Sequence, residues 1–362
     1  MPYLYELDGW PKFTWDAPKL IPALNALRLR QGRLLGRMEN LGFNLQQQAA
    51  LESLTLEVVK TSEIEGEYLA PDQVRSSIAR KLGMDIAGLV PSDRQVDGIV
   101  GVLLDATRKF DEPLTKSRLC RWHADLFPGR SDIRAGAWRD DAKGPMQVVS
   151  GQLGAEKVHY EAPPAEQLEA EMQKFLDWEN GASDLDPLLK AAIAHLWFVT
   201  IHPFDDGNGR IARAIADRGL ARSENSRQRF YSMSAQIRLE RKAYYAVLEL
   251  TQKDSLDITP WLEWFLGCLD RAFAGTENGL AAVLGKDRFW KAHAGIALNE
   301  RQRVILNRLL DGFEGKLTTK KWAKLGKCAH DSALRDIQDL IDRGVLVQDA
   351  GGRSTSYSFK PI

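Results

Sequence analysis

Residues 202–213 read HPFDDGNGRIAR, and no other stretch of the chain says as much about what it builds. His202 carries an imidazole that is neutral near pH 7 and can take a proton from a hydroxyl. Asp206 is a hard oxygen ligand able to hold a divalent cation. Gly207 and Gly209 leave the backbone N–H groups beside Asn208 unobstructed, and the helix formers of the run 211–215 place a helix N-terminus directly behind them. That is a phosphate site. Arg210 and Arg213 are three apart, so both guanidinium groups leave the first helical turn on one side, where they can meet further phosphate oxygens. Each piece alone has an ordinary reading: a half-buried histidine, a turn, a solvated helix face. Their contiguity, in the order one nucleotide pocket needs, points to a base, a metal ligand and an anion cradle.

Far upstream, residues 61–66 read TSEIEG at the end of a segment that reads as a helix over about 46–66. Leu51, Leu54, Val58 and Ile64 give it an apolar stripe, and Gly66 stands where a left-handed residue ends a helix. Thr61 and Glu65 are four apart and share a face.

The stretch 202–213 resembles the Fic motif, HxFx(D/E)GN(G/K)RxxR, at every specified position. The resemblance implies a mostly α fold, a Fic-type helical bundle with a β-hairpin flap, and an enzyme that moves the AMP part of ATP onto a hydroxyl side chain of a target protein, releasing pyrophosphate. Carried over by position, His202 is the base, Phe204 anchors the loop in the core, and Asp206 holds Mg²⁺ between the α- and β-phosphates. Gly207, Asn208 and Gly209 form the anion hole, Arg210 serves the α/β-phosphates and Arg213 the γ-phosphate. Residues 61–66 resemble the inhibitory (S/T)xxxE(G/N) motif that accompanies many Fic domains. This resemblance implies that Glu65, with Thr61 on the same face, pairs with Arg213 and takes the space of the γ-phosphate.

Residues 146–150 and 157–160 are short β-prone runs on either side of Gly151 to Gly154 and read as a hairpin. The resemblance makes it a flap that adds a target segment as a strand, with Val148, Val149 and Ser150 as the contacting residues. The segment His123 to Phe127, followed by Gly136 to Arg139, resembles the region that precedes such a flap. Tyr244, Tyr245 and Gln252 lie on a helix where Fic proteins often place groups around adenine and ribose, which assigns Tyr244 and Gln252 to the nucleotide; an aromatic pair on a helix is otherwise more often core.

The chain has 362 residues, 44% hydrophobic and 27% charged, enough for a large core and two or three domains. Lys plus Arg equals Asp plus Glu at 49 each, so no global field argues for nucleic acid or a membrane surface. Three widely spaced cysteines, Cys120, Cys268 and Cys328, give no disulfide framework. The start lacks a basic region and an apolar run, and no stretch is long enough to span a bilayer, so the expected location is cytoplasmic.

Three parts are expected. Residues 1–40 combine an extended aromatic opening (Trp10, Phe13, Trp15) with a basic helix (Arg28, Arg30, Arg33, Arg37). Residues 41–275 form the catalytic region, closed by a helix that Thr259 caps with Pro260 at its first position and that weakens at Gly275 and Gly279. Residues 285–362 hold a winged helix: Val304, Ile305, Leu306, Leu309 and Leu310 on a first helix, 319–325 as a second, and a third with Leu334, Ile337, Leu340 and Ile341 inward and Asp331, Asp336, Asp339 and Asp342 outward. The segments 345–347 and 356–359 pair across Gly351 and Gly352 as the wing. Five lysines and no acids between Lys316 and Lys327 suit DNA phosphates, while a protein contact or a homodimer is the plainer use. The leading reading is a self-inhibited AMP transferase. Removal of AMP by the same site, transfer of UMP or phosphocholine, and an ATP-sensing DNA-binding regulator are the alternatives.

Overall fold

The computed structural model describes the chain except residues 1, 85–87, 143, 151–156, 254, 311–314, 350–354 and 361–362, and except the side chains of 44, 277–284, 286 and 287. Contacts divide it into two compact units, Met1–Glu39 with Gln46–Thr276, and Asn40–Leu45 with Glu277–Ile362. The fold is mostly helical, as the sequence leads one to expect. Along the chain run α1 (Ala17–Glu39), α2 (Phe43–Ile64), α3 (Pro71–Lys81), α4 (Arg94–Arg108), α5 (Lys116–Leu126), β1 (Gln147–Ser150), β2 (Lys157–Glu161), α6 (Leu168–Asn180), α7 (Pro187–Ile201), α8 (Asn208–Glu224), α9 (Met233–Leu239), α10 (Arg241–Thr251) and α11 (Thr259–Ala292). Two 3-10 turns, Leu4–Glu6 and Ala165–Gln167, also belong to the first unit, and the elements after α11 belong to the second.

The core of the first unit is α7. Asp186 caps it, Pro187 opens it, and every residue from Ala191 to Ile201 is buried, as a helix apolar on all sides requires. The helix α8 packs on α7 and also meets α4 and α5. Gly219 permits the closest approach, since a Cβ there would lie 2.7 Å from that of Ala191. The short loop between α7 and α8 is therefore fixed at both ends by buried helices. The N-terminal segment is tied down by its backbone: Leu4 N–H donates to Gln252 O and Thr14 N–H to Leu256 O, both at 2.9 Å. Trp10 and Phe13 pack edge-on against Trp197.

The strands β1 and β2 pair antiparallel, Gln147 with Glu161 and Val148 with Tyr160, then shift register at a bulge so that Val149 faces Val158 and Ser150 faces Lys157. The expected turn at Gly151 to Gly154 lies outside the described residues. One expectation fails at the end of this region. Gly275 and Gly279 do not weaken the last helix of this region, because α11 continues to Ala292; a glycine costs a helix only about 1 kcal/mol relative to alanine.

In the second unit, α12 (Glu300–Leu310), α13 (Thr319–Leu325) and α14 (His330–Asp342) precede an antiparallel pair, β3 (Leu346–Gln348) with β4 (Tyr357–Phe359), and Tyr357 also bridges to Leu317. The expected turn at Gly351 and Gly352 lies outside the described residues. Ile305, Leu306, Trp322, Ala333, Ile337, Leu340, Val345 and Leu346 form its core. Leu334 and Val304 are not part of it; both are 46% exposed, and Ala333 takes the inward place on α14. Asp336 was expected outside with the other acids but is buried. Arg301 grips it through Nε at 2.5 Å and Nη2 at 2.9 Å, and Asn299 and Trp322 donate to it as well. Burial raises the Asp336 pKa, but these donors outweigh it and hold the carboxyl below its ordinary value.

Candidate active site

The loop 202–207 is held from within and from below. Phe204 is fully buried, stacked on His123 at 4.0 Å between ring centres and tilted against Trp138. His123 accepts the Gly136 N–H at Nδ1 (2.9 Å), so its Nε2 carries the proton and donates to Asp206 O (3.2 Å). Burial pushes its pKa down to about 4, which keeps that tautomer neutral. The Asn208 amide closes the loop on itself, accepting from Phe204 N–H (3.0 Å) and donating to Phe204 O (2.8 Å). Its side chain was expected in the anion hole; with both polar atoms engaged and 2% exposure it serves the loop instead, and only its backbone N–H can serve an anion. Arg139, itself buried, donates to His202 O (2.9 Å) and to Pro163 O (2.5 Å).

His202 ends α7 in the left-handed region, at φ +52°. Few residues other than glycine sit there, and the clamp by Arg139 is what holds it. Its Nδ1 lies 3.1 Å from Val199 O, an atom that can only accept, so Nδ1 bears the proton. Nε2, without a partner among the described residues, is the basic atom. Burial pushes the His202 pKa down to about 4, with the Val199 hydrogen bond opposing and Arg139 assisting.

Gly207, at φ +76°, caps α8, and no side chain assists it. The N–H groups of Asn208, Gly209 and Arg210 accordingly face outward unpaired by backbone among the described residues, at the positive end of a 17-residue helix. An anion already lies beside this helix start. A Cβ on Gly209 would fall 2.2 Å from Glu65 Oε1, so the Glu65 carboxylate lies directly on this glycine. Arg213 donates from Nη2 to the same oxygen at 2.8 Å, from Nε to Thr61 Oγ1 at 2.6 Å and from Nη2 to Thr61 O at 2.9 Å. Tyr245 OH donates to Glu65 Oε2 at 3.3 Å. Burial raises the Glu65 pKa, yet Arg213 first and Arg210 and Tyr245 after it bring the carboxyl below its usual range. The Arg213 pKa is pushed down by burial, but Glu65, Tyr244 and Tyr245 together outweigh burial and raise it.

Asp206 projects outward, 59% exposed, and its Oδ1 accepts the Gly207 N–H at 2.5 Å. No group of three or more His, Cys, Asp or Glu is placed to hold a metal among the described residues. A lone exposed carboxylate beside backbone amides fits an ion such as Mg²⁺, which takes one or two protein ligands and fills the rest of its shell with phosphate oxygens and water. Asp205 accepts the Arg134 N–H at 3.0 Å.

Of the two expected nucleotide contacts, Tyr244 stands beside Arg213, and both residues are covered. Tyr244 is 1% exposed, its hydroxyl 3.1 Å from His195 Nε2, and its ring packs against Trp261 and Trp264. Gln252 is 5% exposed and donates to Thr200. Neither offers a face to a ligand. Sequence reasoning missed Glu67, which receives Arg210 Nη1 at 2.5 Å, and the supporting roles of His123 and Arg139. An acid directly after Gly66 was visible, but nothing in the spacing tied it to residue 210. On the hairpin, Val149 and Val158 are 48% and 39% exposed, and Ser150 Oγ, His159 and Glu249 form a hydrogen-bonded chain with steps of 2.5 and 2.7 Å.

Comparison with known proteins agrees with the geometry. Residues 113–220 match the Fic/DOC family, and residues 3–84, which include Glu65 and Glu67, match a domain of unknown function (DUF4172). The chain is 36% identical over 228 residues to the protein adenylyltransferase Fic of Nematostella vectensis, covering 62% of this chain and 48% of that protein. It is 29% identical over 218 residues to protein adenylyltransferase fic-1 of Caenorhabditis elegans, covering 56% and 39%. The chain thus spans half or less of the length of these relatives. In fold it resembles a Fic family protein from Desulfovibrio desulfuricans G20, with a TM-score of 0.56, 21% identity and coverage of 93% and 96%. It also resembles C. elegans Fic-1, with a TM-score of 0.51, 23% identity and coverage of 74% and 76%. A helix start behind two glycines, a histidine with its basic atom free, and two arginines on one turn are what the matched stretch contributes, and the chain carries a domain of the Fic/DOC family.

Proposed function

We propose that this chain is a self-inhibited protein adenylyltransferase. The observation that carries the reading is the Glu65 carboxylate lying on Gly209 and Arg213, an anion of the chain's own seated in an anion site next to a histidine with a free Nε2. The relatives named protein adenylyltransferase support the reaction class. In the reaction, His202 Nε2 takes the proton of a target hydroxyl as its oxygen bonds to the α-phosphorus of ATP. The bond from that phosphorus to the bridging oxygen breaks, and pyrophosphate leaves. The α8 amides and Arg210 stabilise charge on the α- and β-phosphates, and Arg213 holds the γ-phosphate once Glu65 withdraws. Asp206 would hold Mg²⁺, which neutralises phosphate charge when bound. The β1–β2 hairpin acts as the flap, through Val148, Val149 and Ser150.

Incubation with α-labelled and γ-labelled ATP and Mg²⁺ tests this. In Glu65→Gly the α-label becomes attached to protein far faster than in the wild type, and the γ-label does not. Attachment of the γ-label would make the chain a phosphotransferase. Equal α-labelling of both proteins would remove Glu65 as an inhibitor.

A separate reading concerns the second unit, for which we propose a winged helix that contacts another macromolecule. Lys316, Lys320, Lys321, Lys324 and Lys327 are all exposed, which favours a DNA backbone as one partner. Binding of duplex DNA that weakens steeply with salt supports it, and salt-insensitive binding or none speaks for a protein contact.

A further inference from the structure

We propose that the inhibitory turn carries two latches, with Glu67 holding Arg210 as Glu65 holds Arg213. The inference rests on the reading that these arginines serve the phosphates of ATP. It starts from a geometric fact: both motif arginines are nearly buried, each side chain 3% exposed, and each donates to a carboxylate from the same short turn. Arg210 Nη1 meets Glu67 Oε2 at 2.5 Å, and the guanidinium lies over the Phe127 ring at 4.9 Å. Gln95 Nε2 donates to the same Glu67 oxygen at 3.2 Å and fixes its rotamer. Among the other carboxylates near Arg210, Glu65 feels its charge without a hydrogen bond to it, and Asp206 stands 3.9 Å from Nη2, beyond hydrogen-bond reach.

The turn behaves as one piece. Ser62 O accepts the N–H groups of both Glu65 and Glu67, and Gly66 between them adopts φ +85°, which lets two successive acids project toward the same helix start. When this turn lifts, both arginines lose their anions together. A substitution at Glu65 alone leaves Arg210 turned onto Glu67 instead of onto the phosphates. Glu67 therefore competes with ATP for Arg210, and its removal strengthens ATP binding, since a nearly buried guanidinium left without a counter-charge gains more from a phosphate.

The test is calorimetric binding of ATP with Mg²⁺ to the wild type, Glu65→Gly, Glu67→Gln and the double variant, with each Glu67 comparison repeated in an Arg210→Ala background. Expected is a tightening of about fivefold or more on adding Glu67→Gln to Glu65→Gly, in the range of ordinary coupling between sites, and its disappearance when Arg210 is alanine. Unchanged or weaker binding overturns the second latch, and so does a tightening that persists without Arg210. If Glu67→Gln fails to fold, Gln95→Ala loosens the same carboxylate and should tighten ATP by a smaller factor; no tightening there overturns the proposal equally. Binding is read without any transfer, so absence of label transfer in Glu65→Gly counts against the proposed function and leaves the latch to be judged on affinity alone.

Discussion

The loop 202–207 and the β1–β2 hairpin are both short connecting pieces of the first unit, and they are secured in opposite ways. Around the loop, Phe204 is buried, its backbone is bonded twice by Asn208, and Arg139 and His123 hold the carbonyls of His202 and Asp206. Among its described residues the hairpin has one buried side chain, Tyr160, whose hydroxyl donates to Thr200 O at 2.6 Å, and a part-exposed tie from His159 to Glu249. Val149 and Val158 on it are exposed. The difference matches what each piece would meet. Phosphates have one shape, so their cradle profits from being fixed in advance. A target segment varies in sequence, and a strand edge recognises it by backbone bonds that any residue supplies.

The comparison breaks first at the histidine. His202→Ala in the Glu65→Gly background should leave ATP affinity nearly unchanged while transfer falls by about 10²–10⁴-fold, the usual worth of a general base. Parallel loss of ATP binding and transfer would mean that His202 supports the cradle and not the proton. Next comes the metal. Asp206→Asn should raise the Mg²⁺ concentration needed for half-maximal transfer, whereas Asp205→Asn should do little, because an amide oxygen can still accept the Arg134 N–H that Asp205 now takes. Similar responses from both would detach Asp206 from the ion.

A third effect is structural. Asn208→Ala strands a buried N–H and C=O of Phe204, which should cost about 1–3 kcal/mol of stability by thermal or denaturant unfolding. Val149→Thr on the hairpin should stay within about 0.5 kcal/mol. If the hairpin substitution costs as much as the loop one, the two pieces are not secured differently.

The sequence makes the loop readable because its chemistry is contiguous: base, acid, amides and arginines stand within twelve positions, and local turn and helix rules place them. Glu65 is readable for the same reason, at the end of a striped helix. What escapes is set by partners far along the chain. Tyr244 and Gln252 look available on a helix, and only the packing of Trp261, Trp264 and His195 shows them covered. Asp336 shares a periodicity with exposed acids until Arg301, on another helix, claims it. The Asn208 side chain fits either an anion hole or a loop clamp by composition. The choice depends on the backbone of Phe204 curling back within reach of its amide.

The smallest expected effect is an absence of change, and it concerns the ionisation of His202. Burial is the largest cause of its depressed pKa, near 4, and Arg139 depresses it further while Val199 O and Glu65 act in the opposite sense. Because the folded value lies below the ordinary 6.5, the neutral ring contributes stability that is complete above about pH 6.5 and is lost as pH falls toward 4. Glu65 is one of the influences that raise this pKa, so the loss of its charge does not by itself make the base easier to protonate. Transfer by Glu65→Gly should therefore show no loss of base between pH 8 and about pH 5, where a solvent-exposed histidine would be mostly protonated. Imidazole NMR, with the His202 signal assigned by its disappearance in His202→Ala, should give one titration near pH 4 and a proton on Nδ1 at neutral pH. A proton on Nε2 at neutral pH would place a hydrogen on the atom required to accept one, and the loop would then be a rigid phosphate cradle without a base, whereas a midpoint near 6.5 would make transfer fall between about pH 7 and 5 and overturn the buried, neutral ring.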